Sequence, residues 1–223
     1  AQPQHAVDAI IETIRKNPGI EVVTLGPLTN VALAIVREPS IVPSVSRCVV
    51  MGGNPCCEGN VTPAAEYNIW CDPEAARIVF RSGLPIELVG WQLCRGQAVL
   101  RQHEIEQIRA MGTERARFCI DCNRTAMQAY RIQTGQIGIA LPDPVAMAVA
   151  LDPSISVEKS DHFVEVETAS ELTRGMTVVD RLNISGDERN RGVWSETRQR
   201  RRTTVVWQID VARWKQMLRR AME

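Results

Sequence analysis

The sequence has no excess of either charge. Lysine and arginine total 26, aspartate and glutamate total 26, and the formal net charge is zero. A general nucleic-acid binder or a membrane-surface protein needs a broad field of one sign, so neither partner is expected. No apolar run reaches the ~18 residues that would suggest a membrane span. No repeat and no low-complexity linker divides residues 1–223, so a single domain is expected. No apolar signal segment opens the sequence, and the seven cysteines are odd in number. Both features point to a cytoplasmic chain with reduced thiols. Cys119 and Cys122 form a CxxC pair, but two further zinc ligands at matching spacing are missing. Cys56 and Cys57 lack a neighbouring His or Lys that would activate them. The thiols therefore read as core or surface residues.

What is present is a globular composition, 44% apolar, which supports a core and excludes a disordered chain. His5 to Lys16 places Ala6, Ile10, Ile11 and Ile14 at helical spacing, and Asn17-Pro18-Gly19 stops the helix. Ile20 to Leu25 is a short β-branched strand. Leu28 to Arg37 is a second helix, and Cys48 to Met51 a second strand. Asp72-Pro73-Glu74 opens a third helix, with Asp72 as cap and Pro73 at the first helical position. Gly83 ends it, and Ile86 to Val89 is a third strand. Helices follow over Gln102–Ala110, Glu114–Thr134 and, after Pro142-Asp143-Pro144, Val145–Leu151. Phe163–Glu167 and Met176–Val179 read as paired strands, Val205–Gln208 as a strand and Ile209–Met222 as a closing helix. The cluster Arg198–Arg202 (RQRRR) reads as a solvated loop.

Apolar strands alternating with amphipathic helices give the α/β class, with a parallel sheet covered on both faces. Ligands bind such sheets beyond the carboxyl ends of the strands. The stretch GNVTPAAEYNIWCDPEAA, Gly59 to Ala76, lies beyond one of these ends. It sets Asn60, Glu66 and Asn68 ahead of the helix that Asp72 opens. Polar loop residues commonly bond main-chain groups. Amides that donate and accept, beside a carboxylate that accepts from vicinal hydroxyls, also suit a sugar, and the strand-end position favours that reading. Asp143 between two prolines reads as a helix cap, a role compatible with a metal ligand.

Five motifs in order resemble the inosine/uridine-preferring nucleoside hydrolase family. They are TLGPLTNVALA (24–34), VVMGG (49–53), GN with AEYN and DPEAA (59–76), DPVAMA (143–148) and LTRGMTVVD (172–180). The resemblance implies a Rossmann-like nucleoside hydrolase fold that takes a small-molecule ribonucleoside to ribose and free base, in ribonucleoside catabolism and base salvage. It also implies bound calcium and, for a complete enzyme, a homo-oligomer. In that likeness Asn60, Glu66 and Asn68 grip the ribose, Met51 lies beneath the sugar, and Tyr130 comes from a flap over the base. Asp143 and the Leu25 carbonyl would ligate calcium, which accepts carboxylates, carbonyls and sugar hydroxyls.

Two departures stand out. The family opens with an aspartate cluster of the type DTDxGxDD that supplies the general base and most metal carboxylates. This sequence contains none, and its first residues resemble the family about a third of the way in. The fold is therefore expected to be N-terminally incomplete, with the catalytic residue unassigned. A catalytically inactive ribose- or nucleoside-binding remnant is the alternative function. Secondly, Pro142 stands where many members place a histidine that protonates the leaving base. His103 and His162 are candidates to activate the leaving base, though each reads more readily as a surface histidine. Trp91, at a strand end, is a candidate to stack on a base, with core packing at least as good a reading, so purine or pyrimidine preference stays open.

Overall fold

The computed structural model describes residues 3–223. The first two residues, where the signal-segment reading begins, lie outside them. Along the chain the elements are α1 (Ala6–Lys16), β1 (Ile20–Thr24), α2 (Thr29–Arg37), β2 (Val45–Met51), α3 (Tyr67–Cys71), α4 (Pro73–Arg81) and β3 (Ile86–Val89). There follow β4 (Leu100–Arg101), α5 (Gln102–Ala110), α6 (Glu114–Asp121), α7 (Arg124–Thr134), β5 (Gly138–Ile139) and α8 (Pro142–Leu151). The chain closes with β6 (Ser156–His162), β7 (Val164–Val166), β8 (Thr177–Val179), α9 (Arg191–Trp194), β9 (Thr203–Ile209) and α10 (Val211–Met222). No helix among the described residues is long and apolar enough to cross a membrane.

The chain divides into two compact units, one of residues 1–92 with 159–207, the other of residues 93–158 with 208–223. In the first unit a sheet runs in the order β1-β2-β3-β9-β6, and β1, β2, β3 and β9 are parallel. The two-residue period of a strand divides β2 between two faces. Cys48 and Val50 join the core made by Val7, Ile11 and Ile14 of α1, Ala32 and Ile35 of α2, and Val79 and Phe80 of α4. Val49 and Met51, on the opposite face, are buried as well. A strand buried on both sides reads as an apolar run, which is why CVVM was legible. The β7–β8 hairpin is antiparallel, with Val166 opposite Thr177.

In the second unit the core holds Ile105, Ile108, Ile120, Val145, Val149, Ile155 and Trp214. Lys215 Nζ ties it together, donating to Val99 O at 3.1 Å and pairing with Glu104 at 2.9 Å.

The expected helix over 114–134 is two helices. Asn123 turns its amide back onto Cys119 O at 2.8 Å, a local bond that competes with helix continuation, and the second helix starts afresh at Arg124. Gly135, with φ +71°, closes it in the left-handed region. The RQRRR cluster is exposed but anchored. Arg198 and Arg202 lie 5.3 and 4.7 Å from the Phe163 ring, and Arg200 donates to Arg81 O, a carbonyl at the C-terminus of α4, where a cation is favoured.

Candidate functional site

The polar stretch begins where β2 ends at Met51. Asn54 Nδ2 donates to Cys57 O at 2.8 Å and to Ala64 O at 3.0 Å, folding the loop across itself. Thr62 Oγ1 accepts from Ala65 N at 3.0 Å. Asn60 Oδ1 accepts from Tyr67 N at 2.9 Å. Glu66 is almost fully buried; its Oε1 accepts from Asn68 N at 3.0 Å, and its Oε2 from Gly53 N at 2.8 Å and Ile69 N at 3.3 Å.

These bonds correct one expectation. A short helix, α3, starts ahead of Asp72; Glu66 is its N-cap and Asn68 lies inside it. The carboxylate satisfies amides that a helix start leaves without partners. Asp72 keeps its expected role, accepting from Ala75 N at 3.0 Å and from the Thr29 hydroxyl at 2.6 Å.

The cap on α3 does not use up the donors and acceptors. Asn68 Nδ2 donates to Met51 O at 3.2 Å and to Met51 Sδ at 3.0 Å, so the structure brings Met51, Glu66 and Asn68 together at the end of β2. Oriented this way, the amide of Asn68 leaves Oδ1 without a donor among the described residues, and the Asn60 amide leaves Nδ2 without an acceptor. Other polar atoms in this unit are also unsatisfied at strand ends. Thr24 Oγ1 at the end of β1, Asn54 Oδ1 past β2 and Gln92 Oε1 past β3 are buried without a hydrogen-bond partner among the described residues. Native proteins pair such atoms with protein, water or ligand. Trp91 N closes the ends of β2 and β3 by donating to Gly53 O at 2.8 Å.

Leu25 follows β1 directly and is 38% exposed. In the second unit, α8 begins at Pro142 with Leu141 as N-cap, and Leu141 makes no side-chain cap bond. Asp143 therefore sits in the first turn and does not cap, contrary to expectation. Proline tolerates the first helical position because no donor is needed there, and this shifts the start two residues upstream. The Asp143 carboxylate is half-buried, makes no hydrogen bond or ion pair among the described residues, and ionises above its usual range because burial penalises the charge. An uncompensated carboxylate of this kind fits a ligand for a cation.

Tyr130 lies on α7, its hydroxyl 2.9 Å from Arg101 Nη1. The same Arg101 Nη1 donates to Gln136 Oε1 at 2.6 Å. His103 is exposed on α5. His162 is engaged, with Nε2 2.7 Å from Ser160 Oγ and Nδ1 3.1 Å from Asp180 O. Among the described residues no three His, Cys, Asp or Glu side chains gather as a metal cluster.

A parallel α/β sheet thus carries, past the end of β2, a self-braced loop of amides and a carboxylate in which Asn68 Oδ1 and Asn60 Nδ2 have no partner among the described residues. The family profile of inosine-uridine preferring nucleoside hydrolases matches residues 1–216, and the chain belongs to that family. It is 40% identical over 193 residues to a pyrimidine-specific ribonucleoside hydrolase of Shewanella sp. strain ANA-3, covering 85% of this chain and 60% of that protein. It is 37% identical over 189 residues to the pyrimidine-specific enzyme of Salmonella enteritidis PT4, covering 83% of this chain and 59% of that protein. Among solved structures, a plant nucleoside hydrolase superposes with TM-score 0.89 at 27% identity, over 99% of this chain and 67% of the other. A purine-preferring ribonucleoside hydrolase from Gardnerella vaginalis superposes with TM-score 0.82 at 32% identity, over 98% of this chain and 66% of the other. The chain thus spans about 60% of the length of the sequence relatives.

Proposed function

We propose that this chain carries the ribose-gripping part of a ribonucleoside hydrolase, which cleaves the N-glycosidic bond to give ribose and a free base. The observation that carries this reading is the Asn68 amide, pinned to Met51 by its donor end and left with a free acceptor beside Glu66. A ribose hydroxyl can donate to Asn68 Oδ1, and a second can accept from Asn60 Nδ2. N-glycosidic cleavage, like glycoside cleavage, builds oxocarbenium character on the sugar. A carboxylate and amide oxygens fixed beforehand around the ribose stabilise that positive charge without reorganising. Met51, buried at the strand end, offers a soft apolar floor. Relatives named for pyrimidine and for purine substrates both match this chain, so the ribose is the shared feature and the base is left unassigned.

Asp143, half-buried and without a partner among the described residues, suits an oxygen-seeking cation such as calcium, and the Leu25 carbonyl, at the end of β1, is the other ligand the resemblance implies. When bound, calcium would lower the pKa of a coordinated water. The reaction serves ribonucleoside catabolism. The experiment is turnover of inosine, uridine and p-nitrophenyl riboside at millimolar calcium by this chain completed at its N-terminus with the matching segment of a family member. Asn68→Ala is expected to cut turnover by two orders of magnitude or more with the fold retained, a loss of the size seen when a transition-state hydrogen bond is removed. Turnover within tenfold of the unaltered protein would remove Asn68 from the site.

A further inference from the structure

The motif LTRGMTVVD has a role that its resemblance did not assign. It forms the tip and second strand of the β7–β8 hairpin, and the tip is heavily braced. Gly175 N donates to Glu167 O at 2.7 Å and Glu167 N to Met176 O at 3.0 Å. Glu167 Oε1 accepts from Ala169 N at 2.6 Å and Ser170 N at 3.1 Å. Arg174 reaches Thr168 O and Glu74 Oε2, each at 2.6 Å.

This braced tip meets the polar loop at two points, and main chain is involved at both. Gly53 has φ +70°, and a Cβ there would lie 2.5 Å from Thr177 Oγ1 and 3.2 Å from Thr177 Cβ and Cγ2. Gly175 has φ +83°, and its Cβ would lie 3.0 Å from Trp70 Cα and 3.2 Å from Ala65 Cβ. The two contacts bracket Glu66. Gly53 N donates to its Oε2, Ala65 precedes it, and Trp70 N donates to its main-chain carbonyl at 2.8 Å. Close packing on glycine backbones leaves no room for a side chain at either position.

We propose that Thr177 and Gly175 are positioning residues that clamp the loop between Gly53 and α3 and so set the aim of Glu66 and Asn68 at the ribose. The functional half of this proposal rests on the ribose reading; the mechanical half does not. Thr177 Oγ1 is buried without a hydrogen-bond partner among the described residues, so its part is one of shape. Valine, of the same shape, is the conservative replacement, and alanine removes two of the three atoms that face Gly53, Oγ1 and Cγ2, keeping Cβ.

The test is amide hydrogen exchange on the 223-residue chain, with ribose affinity measured alongside by calorimetry at millimolar calcium. In Thr177→Ala the amides of Gly53, Asn68 and Ile69, the donors to Glu66, should exchange at least tenfold faster, while Val49 and Val50 in β2 stay unchanged. Ribose affinity should fall at least tenfold. Thr177→Val should restore both. Gly175→Ala, which drives a methyl group onto Trp70, should speed the same three amides. Unchanged exchange in Thr177→Ala, or equal acceleration in β2, overturns the clamp. Faster loop exchange with unchanged ribose affinity would refute the positioning role. Exchange needs no ligand, so a wild-type chain that fails to bind ribose counts against the ribose reading and leaves the clamp to be decided by exchange alone.

Discussion

At Asp143, proposed as a calcium ligand, burial of the carboxylate works against stability. An unfolded aspartate ionises near pH ~3.9. Burial raises the folded value, so the folded state binds the proton more tightly than the unfolded one. Stability therefore falls as pH rises from the unfolded value through the folded value, and the penalty is fully present above both. Asp143→Asn should accordingly raise the urea midpoint at pH 7 in the presence of a chelator. The difference should close as pH falls below about 4, the unfolded value. The same change should weaken calcium binding in the N-terminally completed protein, because an amide oxygen lacks the carboxylate charge. A midpoint shift independent of pH, or undiminished calcium affinity, would contradict this account. Residue identities were the most legible layer of the site: Asn60, Glu66 and Asn68 stood out as polar residues past an apolar strand. Their partners were not legible. That Glu66 bonds three main-chain amides depends on Gly53 coming close from thirteen residues away, a tertiary fact with no local signal.

Among the elements, those with local punctuation were readable. α4 runs Pro73–Arg81 with its Asp72 cap as expected, because Asp-Pro-Glu marks a start and Gly83 a stop. Asp72 also accepts the Thr29 hydroxyl, joining α4 to α2. Asp72→Ala should cost about 1–2 kcal/mol of unfolding free energy, read from denaturant titration. Asp72→Asn, which keeps an acceptor for Ala75 N, should cost less. Equal losses would mean that capping is not what Asp72 contributes. Elements without punctuation escaped. β6 (Ser156–His162) is a polar sequence with mostly exposed side chains, so it shows no apolar alternation. α3 is five residues long, too short for a helical period to register. The break between α6 and α7 depends on one asparagine side chain turning back. The β7–β8 pairing was readable because FVEV and MTVV are β-branched runs on either side of a turn.

For the whole molecule, the parallel α/β class and the family were legible because five motifs fall in register along the chain. The division into two compact units was not, since residues 208–223 return to the second unit only through long-range packing such as Lys215 on Glu104. On the proposed reading the chain supplies a ribose loop, one metal carboxylate matched by resemblance and no matched general base, a group typically worth about 10² to 10⁴ in rate. Alone, the 223 residues are therefore expected to bind ribose and to leave p-nitrophenyl riboside intact, a substrate whose leaving group needs no acid and so no histidine at position 142. Calcium-dependent release of nitrophenol by the isolated chain would show that the base lies within residues 1–223. The most direct test of the central claim is calorimetric titration of ribose into this chain at millimolar calcium, with Asn68→Ala in parallel. Saturable binding that Asn68→Ala weakens at least tenfold is the predicted result; no binding by the unaltered chain, or binding that Asn68→Ala leaves intact, would contradict it.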